Sequence, residues 1–264
     1  MSLRINSNID ALNAYRNLST TQNSLSGSLE KLSSGFRINK AADDAAGLAI
    51  SQGLQQQIGG LQVGVRNAQD GISVAQTADG ALTEVQSMLQ RMSDLSVQYN
   101  NGTQDATSQA ALTAEFTKLQ TEIGTTTTAA NFNGVQLFTG NALSFQVGSG
   151  STDTLSISTT ALAQVDVSAL DITSTTASTD VKAAIDTISA QRAEIGATQN
   201  LFQHRINSTN VAITNLTASK SQLTDTDMAA EMVNFTRSNI LSQAGTSMLA
   251  QANQVSQGVL KLLG

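Results

Sequence analysis

Apolar side chains return every three or four positions along most of this chain, and that spacing predicts helices. The longest run is Leu54, Ile58, Leu61, Val65, Ala68, Ile72, Ala75, Leu82, Leu89 and Met92, a heptad seam in which Asp79, Gln86 and Ser93 are the weak members. This helix is expected to start soon after Asp43–Asp44, whose negative charge suits an N-terminus, and to end near Tyr99 with Asn101–Gly102 as a stop. At 1.5 Å per residue, Leu54–Tyr99 alone would span about 70 Å, too long for a compact globule. A shorter helix follows a Thr103–Asp105 cap and carries Leu112, Phe116, Leu119 and Ile123, with Thr125–Thr128 and Asn131–Gly134 expected to break it. A second long helix is predicted after Thr179–Asp180. Its seam is Val181, Ile185, Ile188, Ile195, Phe202, Ile206, Ile213, Leu216 and Leu223, with Arg192, Gln199, Thr209 and Lys220 as polar positions. Its length matches the 54–99 helix, so the two are expected to lie antiparallel.

Both ends of the chain read as weakly charged helices. From Asn239 to Gly264 the seam is Leu241, Ala244, Met248, Ala252, Val255, Val259 and Leu262, and Lys261 is the one charged side chain. Near the other end it is Ile9, Leu12, Tyr15, Leu18, Leu25, Leu29, Leu32 and Phe36. Such helices lack a conventional solvent face, and they are marginal alone because packing supplies most helical stability. They are natural partners for each other. One reading is an ordinary helical hairpin inside a monomer; the other is a piece of an assembly. The aromatic content of 3% and the absence of Trp favour thin helical layers, hence the assembly.

Residues 131–176 break the helical pattern. Asn131-Phe-Asn-Gly134 is turn chemistry. Ser144–Val147 and Thr154–Ser158 alternate apolar and polar around Gly148-Ser-Gly150, which predicts a β-hairpin or two. The fold class is therefore mainly α: an elongated antiparallel helical bundle or coiled coil with a small β-hairpin region at one end. Gly53, Gly60, Gly64 and Gly71 lie beside the long seam at spacings that share one face. They mark either an interrupted, partly irregular stretch or a small-residue groove for a close neighbour.

Composition narrows the function. The chain has no proline, which fits long uninterrupted helices, and no cysteine, which removes disulfides and thiolate metal sites. A net charge of −6 without a basic cluster argues against nucleic acid as a partner. No apolar run approaches the roughly 18 residues of a membrane span. The N-terminal stretch lacks an apolar core and a small-residue cleavage site, so no Sec-type signal is expected. No catalytic constellation, cofactor motif or metal site is read from the sequence. His204 is expected in solvent, the pairs Asp43/Asp44 and Asp225/Asp227 as caps, and Met88, Met92, Met228, Met232 and Met248 as core fillers.

Several long segments carry a family resemblance. LEKLSSGFRINKAADDAAGLAIS (29–51), VRNAQDGISVAQTADGAL (65–82), LQRMSDLSVQ (89–98), NFNGVQLF (131–138) and ILSQAGTSMLAQANQVSQGVLKLL (240–263) resemble bacterial flagellin. The resemblance covers about 1–140 and 180–264. It implies a near-minimal filament subunit without large outer domains, exported by the flagellar type III route and located in the extracellular bacterial flagellum.

The same resemblance implies an inner coiled-coil domain from 1–43 and 223–264, and a helical rod domain from 44–130 and 177–222. The 131–176 insertion would belong to the rod. Leu241, Met248, Val255, Val259 and Leu262 would lie in the polymerisation core. Implied partners are further copies in a helical filament, an export chaperone, hook-associated proteins and, in a host, the Toll-like receptor that senses flagellin. Leu89, Gln90, Arg91, Leu95 and Gln98, with Glu115, match the family's recognition patch. Here Asp94 stands where many recognised members have Glu, and Ser93 where Arg is common. Arg91 could equally serve a protomer–protomer contact. Alternatives to a filament subunit are the hook–filament junction protein, a flagellin-like protein with enzymatic outer domains, and a secreted helical translocator.

Overall fold

The computed structural model describes the backbone of residues 8–263 and the side chains of residues 8–254. The elements in order are α1 (Ile9–Ser34), α2 (Ala45–Tyr99), α3 (Ala106–Ala129), β1 (Asn131–Phe132), β2 (Val135–Gln136), β3 (Leu143–Gln146), β4 (Thr154–Ile157), α4 (Ala177–Thr224) and α5 (Met228–Leu263). The chain forms two compact units, Met1–Gln56 with Leu216–Gly264 and Gln57–Asn215. These boundaries fall inside α2 and α4; the domains implied by the family resemblance, 1–43 with 223–264 and 44–130 with 177–222, meet near the helix ends.

In the first unit α1 packs against α5. Asn8 caps α1 by accepting from the Ala11 N–H at 3.0 Å, and Gly35 ends it with φ 74°, a left-handed turn that suits glycine. The pair runs antiparallel: the Asn8 amide donates to the Ala252 carbonyl at 3.0 Å, and Phe36 bridges Asp225 at the other end. Between them, a Cβ on Gly245 would lie 3.2 Å from Leu18.

Among the described residues, the seam matches the one the large apolar residues predicted only at Leu18, Leu25, Leu32 and Ala252. Sheltered positions on α1 are Ala11, Ala14, Leu18, Thr21, Leu25, Ser28 and Leu32; on α5 they are Glu231, Phe235, Ser238, Ser242, Gly245, Leu249 and Ala252. Ile9, Leu12, Tyr15, Leu29, Phe36, Leu241 and Met248 are exposed instead. Small and polar residues share the seam with Leu18, Leu25, Leu32, Phe235 and Leu249, and the remaining bulky side chains face outward. Met228 and Met232 are likewise exposed and are not core fillers; Met92 is, at 0%.

In the second unit α2 and α4 run antiparallel. Gly71 faces Phe202, and farther along α2 both Asp79 and Gln86 meet Arg192. Leu82, Leu89, Met92, Leu95, Phe116, Ile123, Ile188 and Phe202 are almost wholly buried. Each such side chain stabilises the fold by about 1.5–3 kcal/mol. Helix α2 is continuous, so its glycines do not mark an irregular stretch. Gly64 admits the Val147 carbonyl, 2.7 Å from where a Cβ would stand, and Gly60 admits Ser149, 2.9 Å away. The groove thus receives the turn of the β3–β4 hairpin, while Gly53 and Gly59 face open space.

Two hairpins form where the sequence predicted one or two. Strands β1 and β2 are joined by Asn133 (φ 50°) and Gly134 (φ 81°), the two left-handed residues of a type I′ turn, and β3 pairs antiparallel with β4. The threonine run does not end α3. Thr125 and Thr127 donate their hydroxyls to carbonyls four residues back, which satisfies them inside the helix. Helix α4 starts at Ala177, before the Thr179–Asp180 pair expected to open it, and Asp180 lies in its first turn. The Ser/Thr-rich stretch from 158 to 176 buries Ala161, Leu162, Val167 and Ile172 in the core. The side-chain amide of Gln120 holds the carbonyls of Val167 and Leu170, at 2.9 and 2.7 Å.

Candidate assembly and recognition surfaces

On the second unit, the C-terminal half of α2 has a buried face and an outward face. Val85, Leu89, Met92, Leu95 and Ser96 point inward; Gln90, Arg91, Asp94, Val97 and Gln98 are exposed. A turn at 100–105 folds α3 back along α2. Asp105 caps α3 by accepting from the Ser108 N–H at 2.9 Å, and its bonds from the Ser108 hydroxyl and amide hold its carboxyl below the usual range. The two helices then bring Arg91 to Glu115: Nε and Nη2 both lie 2.8 Å from Oε1. The side chains are 52% and 44% exposed, so the pair is a solvated surface feature.

Of the residues matched to the recognition patch, the structure brings Gln90, Arg91, Gln98 and Glu115 to one surface region. Leu89 and Leu95 are 0% exposed and cannot touch an outside partner in this conformation. They belong to the heptad seam and hold the face in place. Two features were missed. Val97 adds an apolar patch, 62% exposed. The Arg91–Glu115 pairing was legible in principle, since the two residues lie about equally far from the intervening turn.

On the first unit, Met232, Val233, Thr236, Arg237, Ile240 and Leu241 line an open apolar depression of about 480 Å³ on α5. Leu241 is 52% and Met248 65% exposed. Val255, Val259 and Leu262 lie outside the residues whose side chains are described. The acidic pairs divide their work. Asp44 accepts from the Gly47 N–H at 2.9 Å to cap α2, and Asp227 accepts from Ala229 and Ala230 at the start of α5. Asp43 instead holds the Asn39 and Lys40 amides. His204 is exposed, and no cluster of three or more His, Asp or Glu fit for a metal occurs among the described residues.

Residues 5–142 match the bacterial flagellin N-terminal helical region, and residues 178–263 match the bacterial flagellin C-terminal helical region. This chain belongs to the bacterial flagellin family. It is 46% identical to the flagellin of Halalkalibacterium halodurans, with 98% of this chain and 99% of that one covered. It is 42% identical to the flagellin of Bacillus subtilis, over 99% of this chain and 100% of the other. The crystal structure of Bacillus cereus flagellin is similar with a TM-score of 0.50 at 28% identity, covering 55% of this chain and 88% of that one.

Coverage of the curated relatives from end to end marks a near-minimal flagellin without large outer domains. It is a structural protein, a protomer that polymerises into the extracellular bacterial flagellar filament for motility. Flagellar components such as hook-associated proteins accompany it there. The hook–filament junction and translocator readings are not favoured.

Proposed function

We propose that the outward faces of α1 and α5 are the surfaces through which this flagellin polymerises. The observation that carries this is the outward apolar face of the terminal pair. The helices meet through a mixed seam in which Leu18, Leu25, Leu32, Phe235 and Leu249 alternate with small and polar residues, while Leu12, Tyr15, Val233, Ile240, Leu241 and Met248 stand half or more exposed. Exposed aliphatic side chains in such number on one helical pair mark an interaction surface. In the filament they would be covered by neighbouring copies, as the inner domain of 1–43 and 223–264, with Val255, Val259 and Leu262 continuing the same core. The segments 44–130 and 177–222, with the 131–176 insertion, would form the surrounding shell. Replacing Leu241 and Met248 together by serine tests this: the variant should stay monomeric after seeding while its second unit melts normally. Filaments indistinguishable from wild type would reject the assignment.

The surface around Arg91, Gln90, Gln98 and Glu115 is proposed as a protomer contact that the flagellin-sensing Toll-like receptor shares on monomers. An export chaperone would engage the chain before assembly. No catalytic or cofactor-dependent activity is part of this reading.

A further inference from the structure

Asn-Gly pairs occur at Asn101–Gly102, the stop after α2, and at Asn133–Gly134, in the β1–β2 turn. An asparagine before glycine is prone to lose its side-chain amide. The glycine has no side chain to hinder the approach of its nitrogen to the asparagine Cγ. The two pairs are equally open: all four residues are exposed, and nothing lies within 4 Å of a Cβ placed on Gly102 or Gly134. They differ in backbone.

Asn133 and Gly134 are both left-handed, with φ 50° and 81°, and Phe132 pairs with Val135 across the turn. The first central residue of a type I′ turn has ψ of about 30°, which points the next nitrogen away from its side chain. Ring closure there requires the hairpin to open. Asn101 is placed differently. Its N–H donates to the Gln98 carbonyl at 3.2 Å, and its carbonyl accepts from the Gln104 N–H at 3.1 Å. Its Oδ1 accepts the Thr103 N–H at 3.4 Å, which folds the side-chain amide over the Gly102 peptide. That donor polarises the Cγ carbonyl toward attack and favours the negative charge that attack develops on Oδ1. The Gly102 N–H makes no hydrogen bond among the described residues, so the attacking nitrogen is not held elsewhere.

We propose that Asn101 is a self-modification site, where the folded chain deamidates while the hairpin holds Asn133 back. The Gly102 nitrogen loses its proton and attacks Asn101 Cγ. A new C–N bond forms, the Cγ–Nδ2 bond breaks, and Nδ2 leaves as ammonia with that proton. The resulting succinimide is opened by water at either carbonyl, giving aspartate or isoaspartate. Water is the one co-reactant. Each event turns a neutral amide into a carboxylate just beyond the C-terminal end of α2, where it opposes the helix dipole. Isoaspartate also adds a methylene to the backbone of the turn that folds α3 along α2. The outward face carrying Gln90, Arg91 and Gln98 therefore changes charge at its end as the protein ages.

The test incubates the full-length monomer at mildly alkaline pH in water enriched in heavy oxygen and maps its peptides by mass spectrometry. Conversion exchanges NH2 for OH and takes up one solvent oxygen, so both sites are read in one sample. In folded protein Asn101 should convert about tenfold faster than Asn133, with aspartate and isoaspartate both formed. In urea both turns are lost, and the two rates should come together. Gly102→Ala has room for its Cβ and no positive φ to strain it, so the fold is kept. It should slow conversion at Asn101 by about tenfold and leave Asn133 unchanged. Three results would overturn the site: equal rates in folded protein, a faster Asn133, or a Gly102→Ala variant that converts like wild type. None of these readouts involves polymerisation, so the modification site and the filament assignment stand or fall separately.

Discussion

The Phe202 ring occupies the space that a side chain on Gly71 would need: a Cβ there would lie 2.6 Å from Cζ. Phe202 is fully buried and meets Phe145 edge to face, with ring centroids 5.5 Å apart at 86°. One glycine therefore lets α4 and the β3–β4 hairpin pack together on α2.

Gly71→Ala should destabilise the second unit. Alanine favours the helix by about 1 kcal/mol, but forcing a buried ring aside costs about 1–3 kcal/mol, so a net loss of about 1 kcal/mol is expected. Gly80→Ala is the control, because nothing lies within 4 Å of its Cβ position. It should stabilise by up to about 1 kcal/mol. Thermal melts of the two variants should shift in opposite directions; a rise in both would mean that the ring relaxes without cost.

Arg192 crosses from α4 to α2, where its Nε donates to Asp79 at 2.8 Å and its Nη1 to Gln86 at 2.6 Å. The Asp79 hydrogen bond raises the guanidinium pKa above its ordinary value. Both side chains of the ion pair remain about one-third exposed, so solvent screens it. Arg192→Ala should cost about 1–2 kcal/mol, part of it lost packing of the arginine stem. A double-mutant cycle with Asp79→Ala should give a coupling of about 0.5–1 kcal/mol. A coupling of zero in a urea melt would show that the pair contributes nothing beyond packing.

Helix count, order and the two hairpins were legible because periodicity and turn residues report them directly. The polar seam positions Asp79, Gln86 and Arg192 were visible as exceptions, but their mutual bonding needed the register between two distant helices. The seam of the terminal pair was only partly legible: Leu18, Leu25 and Leu32 are sheltered as the spacing predicted, but Leu12, Tyr15, Leu29, Leu241 and Met248 are exposed. Periodicity weights the largest apolar residues and does not see that Ala11, Ala14, Ser242 and Gly245 also occupy sheltered positions. Leu89 and Leu95 were assigned to the outer patch by motif match, although the heptad placed Leu89 in the core. There the local physical pattern was the better guide.

The connection between α1 and α2 should weaken in acid, because Asp43 holds the Asn39 and Lys40 amides and Glu30 accepts from Asn39 and Lys40. Hydrogen bonding from Lys40, then Asn39, lowers the Glu30 carboxyl below its ordinary pKa, and the Lys40 and Asn39 amides lower Asp43. A carboxyl depressed in the folded state contributes stability that is complete above its unfolded pKa, near 4, and is lost as pH falls through the folded value. Lys40 is raised by Glu30, so its contribution is present below the unfolded lysine pKa, near 10, and is lost as pH rises through the folded value. Protection of the 35–44 amides, corrected for intrinsic exchange, should therefore be flat from about pH 5 to 9 and fall below about pH 4. Glu30→Gln should make the acid loss shallower. An unchanged profile in that variant would assign the acid sensitivity to other groups.

Arg91→Ala should separate recognition from folding. The Arg91–Glu115 pair is half exposed, so removing it should cost at most about 1 kcal/mol. Leu95→Ala, one turn along the same helix, empties a fully buried site and should cost about 2–5 kcal/mol. Circular dichroism melts of the two variants test that contrast. A surface arginine with planar, multidentate donors is a typical interface anchor, so Arg91→Ala should impair filament growth and reduce signalling by monomer in a receptor reporter assay. Glu115→Ala frees the guanidinium without removing it. If the partner reads the ion pair as a unit, both variants lose activity; if it reads Arg91 alone, Glu115→Ala retains it. Full signalling by folded Arg91→Ala would remove this surface from the recognition patch. A silent wild type would direct attention to Ser93 and Asp94, where Ser93→Arg with Asp94→Glu should restore activity.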